Sequence, residues 1–154
     1  MVMDNSFAQS LIRNGNGKDL KSLMEELCSH LRKENDRYNW VGIYVLKDQN
    51  LELFAYSGEE TEHKKIKLGQ GLCSLAIVRN ETVNVHNVKE TPEYLACFPS
   101  TKSELVVPIR LNGKAIGEID IDSDTQGAFS IKDEVEMEKL AETISESIGK
   151  VIQH

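Results

Sequence analysis

The hydrophobic and polar positions alternate with two different periods along the chain. Leu20, Leu23, Met24, Leu27, Cys28 and Leu31 recur at three- and four-residue steps, which predicts an amphipathic helix over 20–31. Residues 40–46 change to a period of two and are rich in β-branched and aromatic side chains. Trp40, Gly42 and Tyr44 fall on one face of this strand, and Val41, Ile43 and Val45 on the other. A polar turn at 47–50 leads to a returning strand at 51–56. Residues 57–68 are polar and basic and read as loop with a short strand. Gly69-Gln70-Gly71 opens a short helix over 72–79, and 82–85 reads as a short strand. Residues 89–101 hold two prolines and no periodicity, which predicts a long surface loop. Strands at 104–111 and 114–123 flank Asn112-Gly113, the dipeptide favoured in two-residue hairpins. Ser130 and Asp133 then cap a C-terminal helix whose apolar stripe is Met137, Leu140, Ala141, Ile144, Ile148, Val151 and Ile152.

Strands joined by hairpins imply a mostly antiparallel central sheet. The amphipathic N- and C-terminal helices must bury their stripes on one face of it, and the middle loops close the other. The fold class expected is α+β. At 154 residues the chain fits a single domain, 1–154, with an N-terminal segment 1–17 and a core 18–154. The Asn14-Gly15-Asn16-Gly17 run separates the two.

Charge and composition narrow the function. With 18 Lys+Arg against 25 Asp+Glu, the net charge is −7, which argues against nucleic acid or an anionic membrane as partner. No apolar run is long enough for a membrane span, and no signal peptide is visible, so a cytoplasmic location is expected. The three cysteines, Cys28, Cys73 and Cys97, form no Cys-x-x-Cys pair, and the histidines are scattered, so no metal site is expected. Cys28 belongs to a helix stripe and reads as a core thiol. Cys97 lies in the long loop and reads as reactive. Cys73 sits near a helix N-terminus, a place that favours thiolate; the alternative is a turn that packs Cys73 inside.

Two aspartates, Asp120 and Asp122, share one face of an isoleucine-rich strand, where aspartate is depleted. They are either a functional pair or solvated edge residues. Counting back from the Asn112-Gly113 turn pairs Glu104 near Ile121, so its side chain can lie near Asp120 and Asp122; a one-residue change of register would alter its face. Carboxylates crowded together cannot all ionise, and a neutral carboxyl can serve as a general acid. Trp40 and Tyr44 are either pocket walls or core.

Four blocks carry a family resemblance: Asn39-Trp40-Val41-Gly42-Ile43-Tyr44; Gly69-Gln70-Gly71-Leu72-Cys73; Ala96-Cys97 with Ser103-Glu104-Leu105-Val106-Val107-Pro108; and Gly117-Glu118-Ile119-Asp120-Ile121-Asp122-Ser123. In this order and spacing they resemble the free methionine-(R)-sulfoxide reductases, stand-alone GAF-domain enzymes. The resemblance implies a GAF fold with a covered ligand pocket. It implies Cys97 as nucleophile, Cys73 as a second redox-active cysteine, Glu104, Asp120 and Asp122 as carboxylates around the sulfoxide oxygen, and Trp40 and Tyr44 as an aromatic box. It further implies no bound cofactor and an external dithiol reductant such as thioredoxin, and leaves a homodimer open. Three positions depart from the family: His63 replaces a cysteine, Phe98-Pro99 follows Cys97 where aspartate is usual, and Glu118 stands where an apolar residue is usual. Glu118 shares the face of Asp120 unless a bulge intervenes. The rival readings are a small-molecule sensor and a thiol redox switch.

Overall fold

The computed structural model describes residues 5–15, 19–91 and 100–152. Six antiparallel strands form one sheet: β1 (Trp40–Lys47), β2 (Asn50–Ser57), β3 (Lys65–Lys67), β4 (Val83–Val85), β5 (Ser103–Leu111) and β6 (Lys114–Ser123). Their order is β3-β2-β1-β6-β5-β4, so β6 is interior, between β1 and β5. Among the described residues four helices accompany the sheet: α1 (Ser6–Arg13), α2 (Leu20–Glu34), α3 (Gly71–Arg79) and α4 (Ile131–Ile152). This is the expected α+β architecture. Among the described residues no helix is long and apolar enough to cross a membrane.

The helix layer packs on one face through the residues the stripes named. Leu23, Met24, Leu27, Cys28 and Leu31 of α2 and Met137, Leu140, Ala141, Ile144 and Ile148 of α4 meet Val41, Ile43, Val45, Ile119 and Ile121. Each fully buried Leu, Ile or Met contributes about 1.5–3 kcal/mol. Asp19 caps α2 by accepting from the Ser22 amide at 2.8 Å; such a cap contributes roughly 0.5–2 kcal/mol. At α4, Ser130 and Asp133 bond reciprocally, amide to side chain at 2.8 and 3.3 Å, the capping box the sequence indicated.

Helix α1 was not expected. It packs by burying Ala8, by stacking Phe7 on His30 of α2 at 3.7 Å, and by a 2.6 Å hydrogen bond from Asn5 to Thr143 of α4.

The opposite face is covered by α3 as well as by loops. Leu72, Cys73, Ala76 and Ile77 form a second cluster there with Trp40, Tyr44 and Val106. Asn80 ends α3 in the left-handed conformation, φ +53°. Its side chain donates to the Gly113 carbonyl and accepts from Arg110, which ties α3 to the β5–β6 hairpin.

That hairpin corrects the expected register. Asn112 and Gly113 both have positive φ, as a type I′ turn requires, and Leu111 pairs with Lys114. However, Arg110 pairs with Ala115 and Ile109 with Gly117, which leaves Ile116 as a bulge. Beyond it Glu104 faces Asp122, not Ile121. Opposed residues in an antiparallel pair share a face, so the bulge moves Glu104 from the helix side to the acid side. Glu118 lies past the bulge and shares the face of Asp120.

Candidate active site

The site is built on the β1–β6–β5 centre of the sheet, under α3. Strand β6 turns Glu118, Asp120 and Asp122 to this face, and β5 adds Glu104; all four are buried. The reading of Asp120 and Asp122 as solvated edge residues therefore fails, since β6 has a neighbour on each side. From α3 the Cys73 thiol donates to Asp120 Oδ2 at 3.3 Å. Cys73, Glu104 and Asp120 place their polar atoms within 4.8 Å of one another. Thiol and carboxylate donors in this spacing are also the set among the described residues able to hold a metal ion.

Burial dominates the electrostatics. It lifts Glu118 and Asp122 well above the usual carboxylate range, and the charge of Asp120 adds to both shifts. Burial also raises Asp120, partly offset by hydrogen bonds with Glu104 and Cys73. The cluster therefore retains protons at pH values where surface carboxylates have lost them, and it can donate one to an oxygen that enters it. One oxygen each of Asp120 and Asp122 has no partner.

The same surroundings decide between the two readings of Cys73 in favour of the packed thiol. A helix N-terminus lowers a thiol pKa, but here burial first, then the charges of Asp120, Glu118 and Glu104, push it well above its ordinary value. The resting form is the thiol. Cys28, inside the helix layer, is also pushed up by burial and has the environment of a core residue. Cys97 lies outside the described residues, as does most of the loop expected at 89–101, which begins with a 3-10 turn at Val88–Glu90.

Trp40 and Tyr44 extend the site along β1. The indole NH donates to the Glu59 carbonyl at 2.9 Å, and the Tyr44 hydroxyl to the His63 carbonyl at 2.8 Å. Their rings lie 6.4 Å apart, centroid to centroid. Gly42 pairs with Asp120 on β6 and lies beneath Trp40; a Cβ there would overlap the indole ring. Two features escaped the sequence reading. Tyr56 stacks on Trp40 at 5.8 Å, and its signal was its pairing with Gly42 across the β1–β2 hairpin. His63, noted only as a replaced cysteine, touches the site through its main chain.

Comparison with known proteins agrees with this geometry. Residues 17–148 match the family model described as a GAF domain. A solved structure of the type II free methionine-R-sulfoxide reductase from Thermoplasma acidophilum is 44% identical, with 96% of each chain covered and a TM-score of 0.84. The Saccharomyces cerevisiae free methionine-R-sulfoxide reductase is 39% identical over 113 residues, 71% of this chain and 62% of the relative, so less than two thirds of that relative is spanned. The fRMsr of Staphylococcus aureus, solved in complex with substrate, is 25% identical with a TM-score of 0.77, covering 96% of this chain and 99% of that one. The chain belongs to the GAF-domain family and, within it, to the free methionine-R-sulfoxide reductases.

Proposed function

We propose that this protein reduces free L-methionine-(R)-sulfoxide to L-methionine. The observation that carries the reading is the buried carboxyl group of Glu104, Asp120 and Asp122, the two aspartates raised by burial, beside a thiol and an aromatic wall. A sulfoxide oxygen is a strong acceptor, and its sulfur becomes electrophilic once that oxygen is protonated. Cys97 attacks the sulfur as thiolate while a carboxyl of the cluster protonates the oxygen. Methionine leaves and Cys97 becomes a sulfenic acid. The Cys73 sulfur then displaces the hydroxyl as water and closes a disulfide. An external dithiol such as thioredoxin reopens it by exchange. Trp40 and Tyr44 hold the methylthio end. The substrate is a free amino acid, and no bound cofactor takes part.

The test is NADPH consumption coupled through thioredoxin with free methionine sulfoxide as substrate. Turnover of the R epimer, together with a Cys73–Cys97 disulfide on peptide mass mapping when reductant is withheld, is the expected result. Affinity without turnover would identify a sensor, and disulfide formation driven by peroxide alone a redox switch.

A further inference from the structure

The chemistry above gives no role to residues 58–64, the connection from β2 to β3, yet both rings of the aromatic wall are fastened to it. An indole and a phenol each carry one polar hydrogen. Trp40 donates its own to the Glu59 carbonyl at 2.9 Å, and Tyr44 to the His63 carbonyl at 2.8 Å. At Gly58 the main chain passes so close to the indole that a Cβ would lie 2.7 Å from Trp40 Cδ1. Thr61 stands in the middle of this stretch, 3% exposed between two exposed glutamates, Glu60 and Glu62. Its hydroxyl oxygen accepts from the His63 amide at 3.1 Å, which fixes the peptide plane between residues 62 and 63. The Glu62 carbonyl in that plane accepts from the Lys64 amide at 3.0 Å. A trans peptide points its N–H and C=O in opposite directions. A Lys64 amide turned toward Glu62 therefore turns the His63 carbonyl the other way, where the Tyr44 hydroxyl meets it. The Lys64 carbonyl accepts from the Leu53 amide at 2.8 Å and anchors the end of this relay to β2.

We propose that Thr61 is a positioning residue for the aromatic wall. By holding the His63 peptide it sets the direction in which the Tyr44 hydroxyl, and with it the ring, is held. The Glu59 carbonyl does the same for Trp40 from the other end of the segment. Within the reductase reading, on which this role rests, the two rings receive the methylthio end of the substrate. A wall that is already rigid keeps the full energy of that contact, whereas a wall that must be ordered on binding loses part of it to side-chain entropy. The methylthio end keeps its contacts while the oxygen is removed, so the restraint acts on ground and transition states alike. Its loss therefore raises KM and leaves kcat nearly unchanged.

Three substitutions separate the parts of the relay. Thr61→Val keeps the branched shape and removes the acceptor, Thr61→Ser keeps the acceptor, and Tyr44→Phe keeps the ring and removes the donor. Turnover of free methionine sulfoxide, coupled through thioredoxin, is measured for the full chain and each variant. In Thr61→Val, KM is expected to rise by about three- to tenfold with kcat within about twofold of wild type. Tyr44→Phe is expected to raise KM by a similar factor, and Thr61→Ser to restore it. Both changes break one relay, so the double variant Thr61→Val/Tyr44→Phe is expected to match the larger single effect and not the product of the two. Hydrogen exchange read by mass spectrometry is expected to speed up over 59–64 in Thr61→Val and Tyr44→Phe alike, and to stay unchanged over α2. An unchanged KM in folded Thr61→Val, a loss confined to kcat, or multiplied effects in the double variant overturns the proposal. If Thr61→Val does not fold, an unchanged KM in Tyr44→Phe is the overturning result. A wild type that reduces no methionine sulfoxide refutes the reductase reading; unchanged exchange over 59–64 in both variants then overturns the positioning role by itself, so the two failures are distinguishable.

Discussion

Replacing Glu118 with leucine should stabilise the protein, and by an amount that depends on pH. The wild-type carboxyl is buried without a formed hydrogen bond, and burial raises its folded-state pKa. A group raised in the folded state binds its proton more tightly there than in the unfolded chain. Its contribution to stability is fully present below the unfolded value, about 4.3, and is lost as pH climbs through the folded value. Asp120 and Asp122 are raised in the same direction, so wild-type stability should decline from mildly acid pH toward pH 8. Each proton that the folded state holds and the unfolded state has lost contributes a slope of about 1.4 kcal/mol per pH unit. Leucine removes one such proton and fills a similar volume between Tyr44 and Cys73. Exchanging a buried ionisable group for an apolar one is worth about 1–4 kcal/mol where the charge would otherwise form. At roughly 2–4 °C per kcal/mol for a chain this size, a gain near 2 kcal/mol raises Tm by about 4–8 °C at pH 8. At pH 5 the gap should shrink toward zero. Urea and thermal melts at half-unit intervals from pH 4.5 to 8.5 would show two curves that diverge as pH rises. Parallel curves, or a wild type that gains stability between pH 5 and 8, would refute the reasoning.

Three further outcomes are expected. Asp120→Asn or Asp122→Asn should lower kcat by about 10²–10⁴-fold while the folded signal in circular dichroism persists, because an amide bonds to the sulfoxide oxygen but delivers no proton; full activity in both would move the acid to Glu104. Cys97→Ser should abolish sulfoxide turnover and Cys28→Ser should retain it with a modest loss of stability, a contrast that equal specific activities in the two folded variants would contradict. Gly42→Ala should displace the Trp40 indole, destabilise by about 1–3 kcal/mol as overpacking does, and shift the fluorescence of the one tryptophan in the chain; an unshifted emission spectrum would mean the ring had not moved.

Which parts of this molecule could be read beforehand follows from the range of the forces involved. Period-two alternation at Ile119, Asp120, Ile121 and Asp122 is local, so the acid face and the helix face of β6 were legible. The stripes of α2 and α4 were legible for the same reason, and so was the capping box at Ser130 and Asp133. Helix α1 was not, because its eight residues carry Ser, Gln and Arg and gain their stability from α2 and α4. The placement of Glu104 near Asp120 and Asp122 was legible, but its partner across the hairpin was off by one residue, Ile121 in place of Asp122, because a bulge leaves no fixed signature in composition. For Cys73 the sequence left a thiolate and a packed thiol both open: the helix end is adjacent in sequence, whereas the carboxylates that oppose ionisation arrive from 31 to 47 positions away. Cys97 remains a reading from sequence, since it lies outside the described residues.

The bulge at Ile116 makes the hairpin sensitive to whether its extra residue stays out of the ladder. Drawing Ile116 into the ladder while leaving the Asn112-Gly113 turn in place would slide β5 by one position against the far half of β6. Glu104 would then oppose Ile121 and push a carboxylate among the α4 leucine and isoleucine side chains, while Leu105 would be carried to the acid side. Losing Ile116 altogether would leave Glu104 opposite Asp122, because the two arms would then match residue for residue. Viable descendants of this sequence should therefore vary the tip of the hairpin freely and either keep the extra residue as a bulge or drop it, but never absorb it into the ladder.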